Sequence, residues 1–335
     1  MQIEMTPYFS LIVPVYNRPD EVDELLASLV AQTYRDFEVI IVEDGSSVPC
    51  EDICKKYDDN LVISYFSKSN SGPGQSRNYG AERSSGEYLI ILDSDCIIPQ
   101  RYLEIVRKYL EEFPVDAFGG PDRAHTSFTK IQKAINYGMT SFFTTGGIRG
   151  GRKKLDKFYP RSFNMGVKKD VYLALGGFSK MRFGEDIDFS IRIFKGGYKC
   201  VLIREAWVYH KRRTDFRKFF KQVYNSGIAR INLYKKYPDS LKIVHLFPSV
   251  FTIGLILLIA ASFFSFWILA PIALYVLMIF VDSLIKNKSL VIAFYSIAAT
   301  FIQLIGYGIG FINAFWKRCV LRKDEFSAFR NSFYK

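Results

Sequence analysis

Residues Tyr88 to Asp95 constrain the fold of this chain more than any other stretch. Five consecutive apolar residues, Tyr88, Leu89, Ile90, Ile91 and Leu92, end abruptly in two carboxylates, Asp93 and Asp95, with one small residue between them. An apolar run without alternation suits a strand covered on both faces, as in the interior of a parallel sheet. Open α/β sheets bind their ligands beyond the carboxyl ends of such strands. Two hard oxygen donors at i and i+2 can share one Mg2+ or Mn2+ and leave coordination positions for phosphate oxygens. A solvated Asp-Ser-Asp turn would use the same residues, so the reading depends on what surrounds them.

The surroundings repeat the arrangement. Phe9–Val15 reads as a first strand, followed by a turn at Asn17-Arg18 and a helix that Pro19 opens, with Asp20, Glu21, Asp23 and Glu24 at its acidic start. Residues 37–42 form a second strand ending in Glu43-Asp44-Gly45-Ser46-Ser47, and residues 61–66 a third. Ser71-Gly-Pro-Gly-Gln75 then leads into a helix before the strand at 88–92. Strands alternating with helices at this spacing predict an α/β fold with a doubly wound, mostly parallel sheet. Asn17, Asp44, Asp93 and Asp95 all fall just past strand carboxyl ends. A nucleotide crevice needs that collection: an acceptor for a base N–H or ribose hydroxyls, then carboxylates for a metal. No G-x-G-x-x-G follows the first strand and no G-x-x-x-x-G-K-S/T occurs, which disfavours dinucleotide and P-loop binding. A diphosphate without a glycine loop around it needs a cation to neutralise it.

Charge locates the other half of the argument. The net charge is +12, yet residues 1–203 are nearly balanced and the excess lies in 204–242 and 317–335. A nucleic-acid binder should carry its basic face on a folded domain; here the charge brackets an apolar segment, as attraction to anionic headgroups produces. Nucleic acid is excluded as a partner on that ground. Between 246 and 285 only Asp282 is charged, and about 40 residues are twice a crossing of about 20. Ser262, Ser265 and Pro271 suit a hairpin break, and 290–316 is again uncharged. Two or three membrane helices are therefore expected within 243–316, with length favouring three. The basic segment before 246 and Lys286 with Lys288 place both ends of a hairpin in the cytoplasm. The basic tail (Lys317, Arg318, Arg322, Lys323) also suits the cytoplasm, so 290–316 either crosses against the charge bias, re-enters, or lies in the interface. Gly306, Gly308 and Gly310 would permit a bend or close helix contact. Phe216, Phe219, Phe220, Val223 and Tyr224 recur at helical spacing with Arg217, Lys218 and Lys221 between them, the pattern of a helix in the headgroup region or of one packed on the domain. Cys50, Cys54, Cys96, Cys200 and Cys319 are scattered, which fits a reducing cytosol and no zinc site. The start of the chain reads as no signal peptide, since Glu4 is early and the run 9–15 is short.

Taken in order, LIVPVYNRP at 11–19, VEDGSS at 42–47, GPGQSRNYG at 72–80, GEYLIILDSD at 86–95, FNMGV at 163–167 and GGFSKMRFGEDIDFSIRIFKGGY at 176–198 resemble the inverting family 2 glycosyltransferases of the GT-A fold. The resemblance implies a sugar nucleotide donor, most often a UDP-sugar, and a divalent cation. It implies that Asp44 binds the base with Pro14 and Tyr16 near it, that Asp93 holds the ribose or a metal-bound water, and that Asp95 ligates the metal directly. Arg77 matches the family's arginine near the nucleotide, or is a structural ion pair. Asp186 matches the catalytic base. In a single inverting displacement an acceptor hydroxyl loses its proton as it attacks the anomeric carbon, and a carboxylate within hydrogen-bond reach contributes about 10²–10⁴ in rate. Glu185 and Asp188 compete for that role; Glu185 is read as positioning the acceptor or Asp186, and one of the three as a structural carboxylate at a helix start. Some relatives place a histidine where His210 stands as a further metal ligand. The glycine-rich basic stretch 145–154 is either a loop closing over phosphates or a solvated surface loop. The Q-x-x-R-W of polymerising members is missing after the base, which favours single-sugar transfer over processive synthesis.

The chain thus divides into a GT-A-like catalytic domain at 1–214, a basic amphipathic segment at 215–242, membrane helices at 243–316 and a basic tail at 317–335. The expected activity is metal-dependent transfer of one sugar to a lipid-linked or surface-glycan acceptor, by an enzyme of the cytoplasmic membrane with its catalytic domain in the cytoplasm. Transfer to polyprenyl phosphate, processive synthesis and an inactive sugar-nucleotide-binding scaffold are the alternatives. A glycosidase also uses paired carboxylates but needs no nucleotide crevice.

Overall fold

The computed structural model describes residues 6–123, 125, 127–145, 158–181 and 183–324. Residues 146–154 of the glycine-rich stretch, and the tail from 325 onward, lie outside the described residues. The chain forms two compact units, one built from residues up to 123 with 158–210, the other from 127–145 with 211–324. The stretch 127–145 groups with the apolar C-terminal part.

In the first unit the elements run β1 (Phe9–Val15), α1 (Pro19–Val30), β2 (Phe37–Asp44), α2 (Glu51–Lys55), β3 (Ile63–Lys68), α3 (Pro73–Glu82), β4 (Tyr88–Leu92), β5 (Cys96–Ile97), α4 (Tyr102–Glu112), β6 (Ala117–Gly119) and β7 (Asp122–Arg123). The second unit then contributes α5 (Lys130–Thr140) and α6 (Phe142–Thr145). The first unit resumes with β8 (Asn164–Lys168), α7 (Lys169–Ala174), α8 (Glu185–Lys195), β9 (Cys200–Leu202) and β10 (Val208–His210). Among the described residues the main sheet has the order β3-β2-β1-β4-β8-β6-β9, and a small sheet has the order β5-β10-β7. Strands β1 to β4 are mutually parallel, β8 is antiparallel to both β4 and β6, and β9 is parallel to β6. The sheet is mixed, with its parallel half carrying the sequence pattern read above.

All five residues of β4 and all eight of β2 are buried, because helices cover both faces. Leu11, Val13, Ile90 and Leu92 pack with Leu25 and Leu29 of α1 and Leu103 and Val106 of α4. Ile12, Leu89 and Ile91 point the other way, to Ala81 of α3, Val171 of α7 and Phe189 of α8. Gly80 lets α3 lie against that face, since a Cβ there would stand 2.8 Å from Ile12 Cγ2. Two strand ends differ from expectation. Leu61 is held in a turn by its N–H to the Tyr57 carbonyl, so β3 begins at Ile63 and pairs Val39 with Ile63 through to Asp44 with Lys68. Strand β2 also runs on to Asp44, which makes that carboxylate the last residue of its strand.

The second unit adds α9 (Phe216–Lys236), α10 (Phe247–Ala261), α11 (Ala270–Asn287) and α12 (Leu290–Phe315). The expected break is present: α10 ends at Ala261, a 3-10 turn spans Phe266–Leu269, and α11 follows. Two helical stretches, Phe266–Asn287 and Leu290–Val320, are long and apolar enough to cross a membrane. Helix α10 has 15 residues, fewer than the roughly 20 of a crossing. Helix α9 is the amphipathic element of the sequence, and it buries Phe219, Val223, Ile228 and Ile231. The glycines of α12 serve close helix contact: Gly306 faces Val223, Gly308 faces Pro248 and Thr252, and Gly310 faces Tyr224.

Candidate active site

Parallel pairing puts the carboxyl ends of β2, β1 and β4 side by side. With strands about 4.8 Å apart and β1 between them, β2 and β4 are separated by roughly 10 Å across the sheet, and Asp44 and Asp93 stand at their carboxyl ends. The Asp44 carboxylate accepts from the N–H groups of Ser71 and Gly72, both at 2.9 Å, and pairs with Lys68. Those three donors occupy three of its about four lone-pair directions, leaving one for a ligand N–H. Asn70 donates its Nδ2 to the Asp44 carbonyl at 2.8 Å. Its buried Oδ1 has no hydrogen-bond partner among the described residues, so it is a second acceptor beside Asp44. Pro14 lies in β1, and Tyr16 just beyond it is 49% exposed. Asn17 takes a left-handed φ of 55°, which asparagine tolerates. Its Oδ1 accepts from Ser47 N at 2.8 Å and Val48 N at 3.0 Å, tying the loops after β1 and β2 together.

Asp93 and Asp95 follow β4, and the small sheet brings His210 to them. Antiparallel pairing sets His210 opposite Cys96, and the imidazole stacks on Phe163 with centroids 4.7 Å apart. Its Nε2 lies 3.2 Å from Asp95 Oδ1 and 3.9 Å from Asp93 Oδ2. Ligand atoms of Asp95, Cys96 and His210 lie within 4.8 Å of one another. Burial pushes the Cys96 thiol well up, and a neutral thiol is a poor donor to a hard ion. Two carboxylates and an imidazole, by contrast, suit Mn2+ or Mg2+. Arg18, read from the sequence as a turn residue, reaches Asp95 Oδ2 at 3.4 Å and Glu21 at 2.5 Å.

Arg77, on the second turn of α3, is buried and joins this cluster to α8. Its Nη2 lies 2.7 Å from Asp93 Oδ1, its Nη1 3.2 Å from Glu185 Oε1, and its guanidinium covers the Phe178 ring at 5.2 Å. Helix α8 starts after Gly184, which takes a φ of 85°. Burial raises the Glu185 carboxyl to about 7, with Asp186 adding to the rise and Arg77 opposing it. Asp186 accepts from the Ile187 N–H through Oδ1 and from Arg161 Nη1 at 3.2 Å through Oδ2. Asp188 is fully buried and paired with Arg192 at 2.9 Å; it is the structural carboxylate of the three.

The structure thus brings together Asp93, Asp95, His210, Arg77 and Glu185 through direct contacts, with Asp186 next to Glu185 and Asp44 two strands away at the end of β2. Sequence reasoning missed Lys68, Asn70, Arg18, Phe163 and Arg161 as parts of this site. The register of β3 would have pointed to Lys68; a turn residue such as Arg161 carries no periodic signal.

Residues 10–175 match the family model described as glycosyl transferase family 2. Glycosyltransferase AglE of Haloferax volcanii is 27% identical over 234 residues, covering 68% of this chain and 74% of that protein. An uncharacterized glycosyltransferase of Rickettsia bellii is 36% identical over 128 residues, covering 38% of this chain and 18% of that protein. The chain spans less than a third of the length of four curated relatives that it matches, from three Rickettsia species and Streptococcus pneumoniae. Among solved structures, the mannosyltransferase PcManGT from Pyrobaculum calidifontis, in complex with GDP-Man and Mn2+, superposes with a TM-score of 0.63 at 18% identity over 90% of this chain and 88% of its own. At that identity the likeness is one of fold.

Proposed function

Because the chain belongs to glycosyl transferase family 2 through residues 10–175, we propose that it is an inverting glycosyltransferase moving one sugar from a nucleotide-sugar donor, a UDP-sugar first among them, to a lipid-linked or glycan acceptor. The observation that carries this reading is the junction of Asp93, Asp95 and His210 with Arg77 and Glu185 at the carboxyl edge of the parallel strands. The Mn2+ and GDP-Man held by the mannosyltransferase of the same fold support the class of donor and cation.

In this reading Asp44 and Asn70 receive the base at the end of β2, with Pro14 and Tyr16 beside it. Asp95, His210 and Asp93 would hold a divalent cation, which when bound would supply positive charge to neutralise the departing diphosphate. Arg77 pairs with Asp93 and with Glu185 and holds both in place. Asp186, in the first turn of α8, takes the proton of the acceptor hydroxyl, and Arg161 orients its carboxylate. Two long apolar helical stretches support an enzyme working at a membrane surface, where a lipid-linked acceptor is available. The test is direct: the purified chain, Mn2+, a panel of sugar nucleotides and a membrane lipid extract should yield a glycosylated lipid and free nucleoside diphosphate. Donor binding with neither transfer nor donor hydrolysis would favour a sugar-nucleotide-binding scaffold instead. A charged single-sugar lipid product would identify polyprenyl phosphate as the acceptor.

A further inference from the structure

Within the second unit, α9 lies alongside α12 and runs in the same direction. Phe216 meets Tyr295 edge-on with ring centroids 6.0 Å apart. Further along, Val223 packs on Gly306, Gly227 on Tyr307 and Phe311, and Tyr224 on Gly310. Near the end Lys235 Nζ donates to the Arg318 carbonyl at 3.2 Å. Helix α9 carries Arg217, Lys218 and Lys221 near its start and Arg230, Lys235 and Lys236 near its end, with no acidic residue. The uncharged interval 222–229 is about 12 Å of helix, against a hydrocarbon core of roughly 30 Å. If α12 crossed that core between Tyr295 and Arg318, one of the two basic groups of α9 would be drawn into it, where Lys and Arg are strongly disfavoured. Its neighbour therefore holds α12 at the level of the headgroups.

The hairpin of α10 and α11 is different. Its base is packed: Pro248 and Thr252 lie against Gly308, Phe251 and Tyr275 against Phe301, and Ser283 Oγ donates to Ser296 Oγ at 2.7 Å. Beyond that base no residue of 253–274 is buried and none is charged. Phe263, Phe264, Phe266 and Trp267 at the turn are 78% to 93% exposed. The free arm of α10, residues 253–261, is about 14 Å long. That matches the half-thickness of the hydrocarbon core, roughly 15 Å, and falls well short of a crossing.

We propose that residues 253–274 enter a single leaflet as an apolar hairpin that stops near the midplane, while α9 and α12 lie at the surface of the same leaflet. The basic ends of those helices (Arg230, Lys235, Lys236, Lys317, Arg318) complement anionic headgroups there. The proposal rests on the membrane reading above and replaces the two or three crossings that apolar length alone suggests. It also removes the conflict over the tail: the basic segment before 243 and the basic residues after 316 stay on one side.

Trp267 reports the depth. The full chain with Trp207→Phe and Trp316→Phe is mixed with vesicles of phosphatidylcholine and phosphatidylglycerol containing lipids brominated at chosen acyl positions. The expected result is strongest quenching of Trp267 by bromines near the end of the acyl chain. Strongest quenching by bromines close to the glycerol, as when the turn reaches the opposite interface, overturns the single-leaflet hairpin and leaves the membrane reading standing. Absence of both vesicle binding and quenching overturns the membrane reading itself. A second variant, Ser265→Cys with all tryptophans kept, guards against a folding defect. Read against the unmodified chain, its thiol should be shielded from an aqueous maleimide once vesicles are added. Labelling from the far side of sealed vesicles overturns the proposal.

Discussion

Arg77 Nη2 lies 2.7 Å from Asp93 Oδ1, and the same guanidinium reaches Glu185 with its other nitrogen at 3.2 Å. A planar fork with a cation at its centre is the one side chain that serves two carboxylates at fixed positions. Arg77 and Glu185 are buried and Asp93 is partly so, and removing the arginine leaves two acids without their counter-charge. Breaking a buried pair in this way typically costs about 3–5 kcal/mol. Arg77→Ala should therefore lower the thermal midpoint by several degrees, and Arg77→Lys should recover little of it. A differential scan of the three proteins settles the matter; a midpoint unchanged in Arg77→Ala would mean that the fork is not under tension from its partners.

The Glu185 carboxyl, raised by burial to about 7 from an ordinary 4.5, makes stability depend on pH. Its folded form holds a proton that the unfolded chain has already lost between those two values. The contribution is therefore complete below about 4.5, declines as pH rises towards 7, and is absent above it. Glu185→Gln should flatten the decline of the thermal midpoint over that window while leaving the shape outside it unchanged. An identical slope in both proteins would place the proton elsewhere.

Asp95 and His210 should bind a divalent ion together. Their separation of 3.2 Å suits two ligands of one ion, and Asp93 is near enough to complete or orient the set. Asp95→Asn and His210→Gln should each weaken Mn2+ binding by about tenfold or more, read by titration calorimetry or by the electron spin resonance of free Mn2+. Phe163→Leu removes the ring that the imidazole stacks on and should have a smaller effect of the same sign. Unchanged affinity in Asp95→Asn would remove it from the metal site and leave the Arg18 ion pair as its role.

How much of this could be read beforehand follows from what each residue depends on. The apolar run of β4 was legible because both of its faces are covered, so the whole strand carries one signal. Asp44, Asp93 and Asp95 were legible because strand ends are marked by the change from apolar to acidic. Lys68 was not, because the pairing of β3 with β2 shifts that strand by two residues and only then sets Lys68 opposite Asp44. His210 reaches Asp95 through its pairing with Cys96 in a separate small sheet, a long-range contact that its own neighbours in sequence do not specify. Arg161 sits in a turn whose geometry depends on β8 and α8. Ser190 Oγ lies within hydrogen-bond distance of both the Pro160 carbonyl (3.0 Å) and the Asp186 carbonyl (2.8 Å), sharing its one proton between them and clipping that turn to the helix. The antiparallel β8 within the sheet was likewise invisible, since Asn164–Lys168 has no long apolar run of its own.

Asp186 offers the sharpest test of the chemistry. If it takes the acceptor's proton, Asp186→Asn should reduce turnover by about 10²–10⁴ while the nucleotide sugar binds as before, because an amide of the same shape cannot accept a proton. Arg161, 3.2 Å from it, orients the carboxylate from a position fixed by the clipped turn. Arg161→Gln should therefore lower turnover by a smaller factor with donor affinity retained, and Arg161→Lys, which can still reach the carboxylate with one charged donor, should restore part of it. Measuring donor dissociation constants alongside turnover for the three variants separates the roles. Loss of donor binding in Asp186→Asn would assign that residue to the donor site and leave Glu185, its carboxyl raised by burial and tied to Arg77, as the other acid at the start of α8.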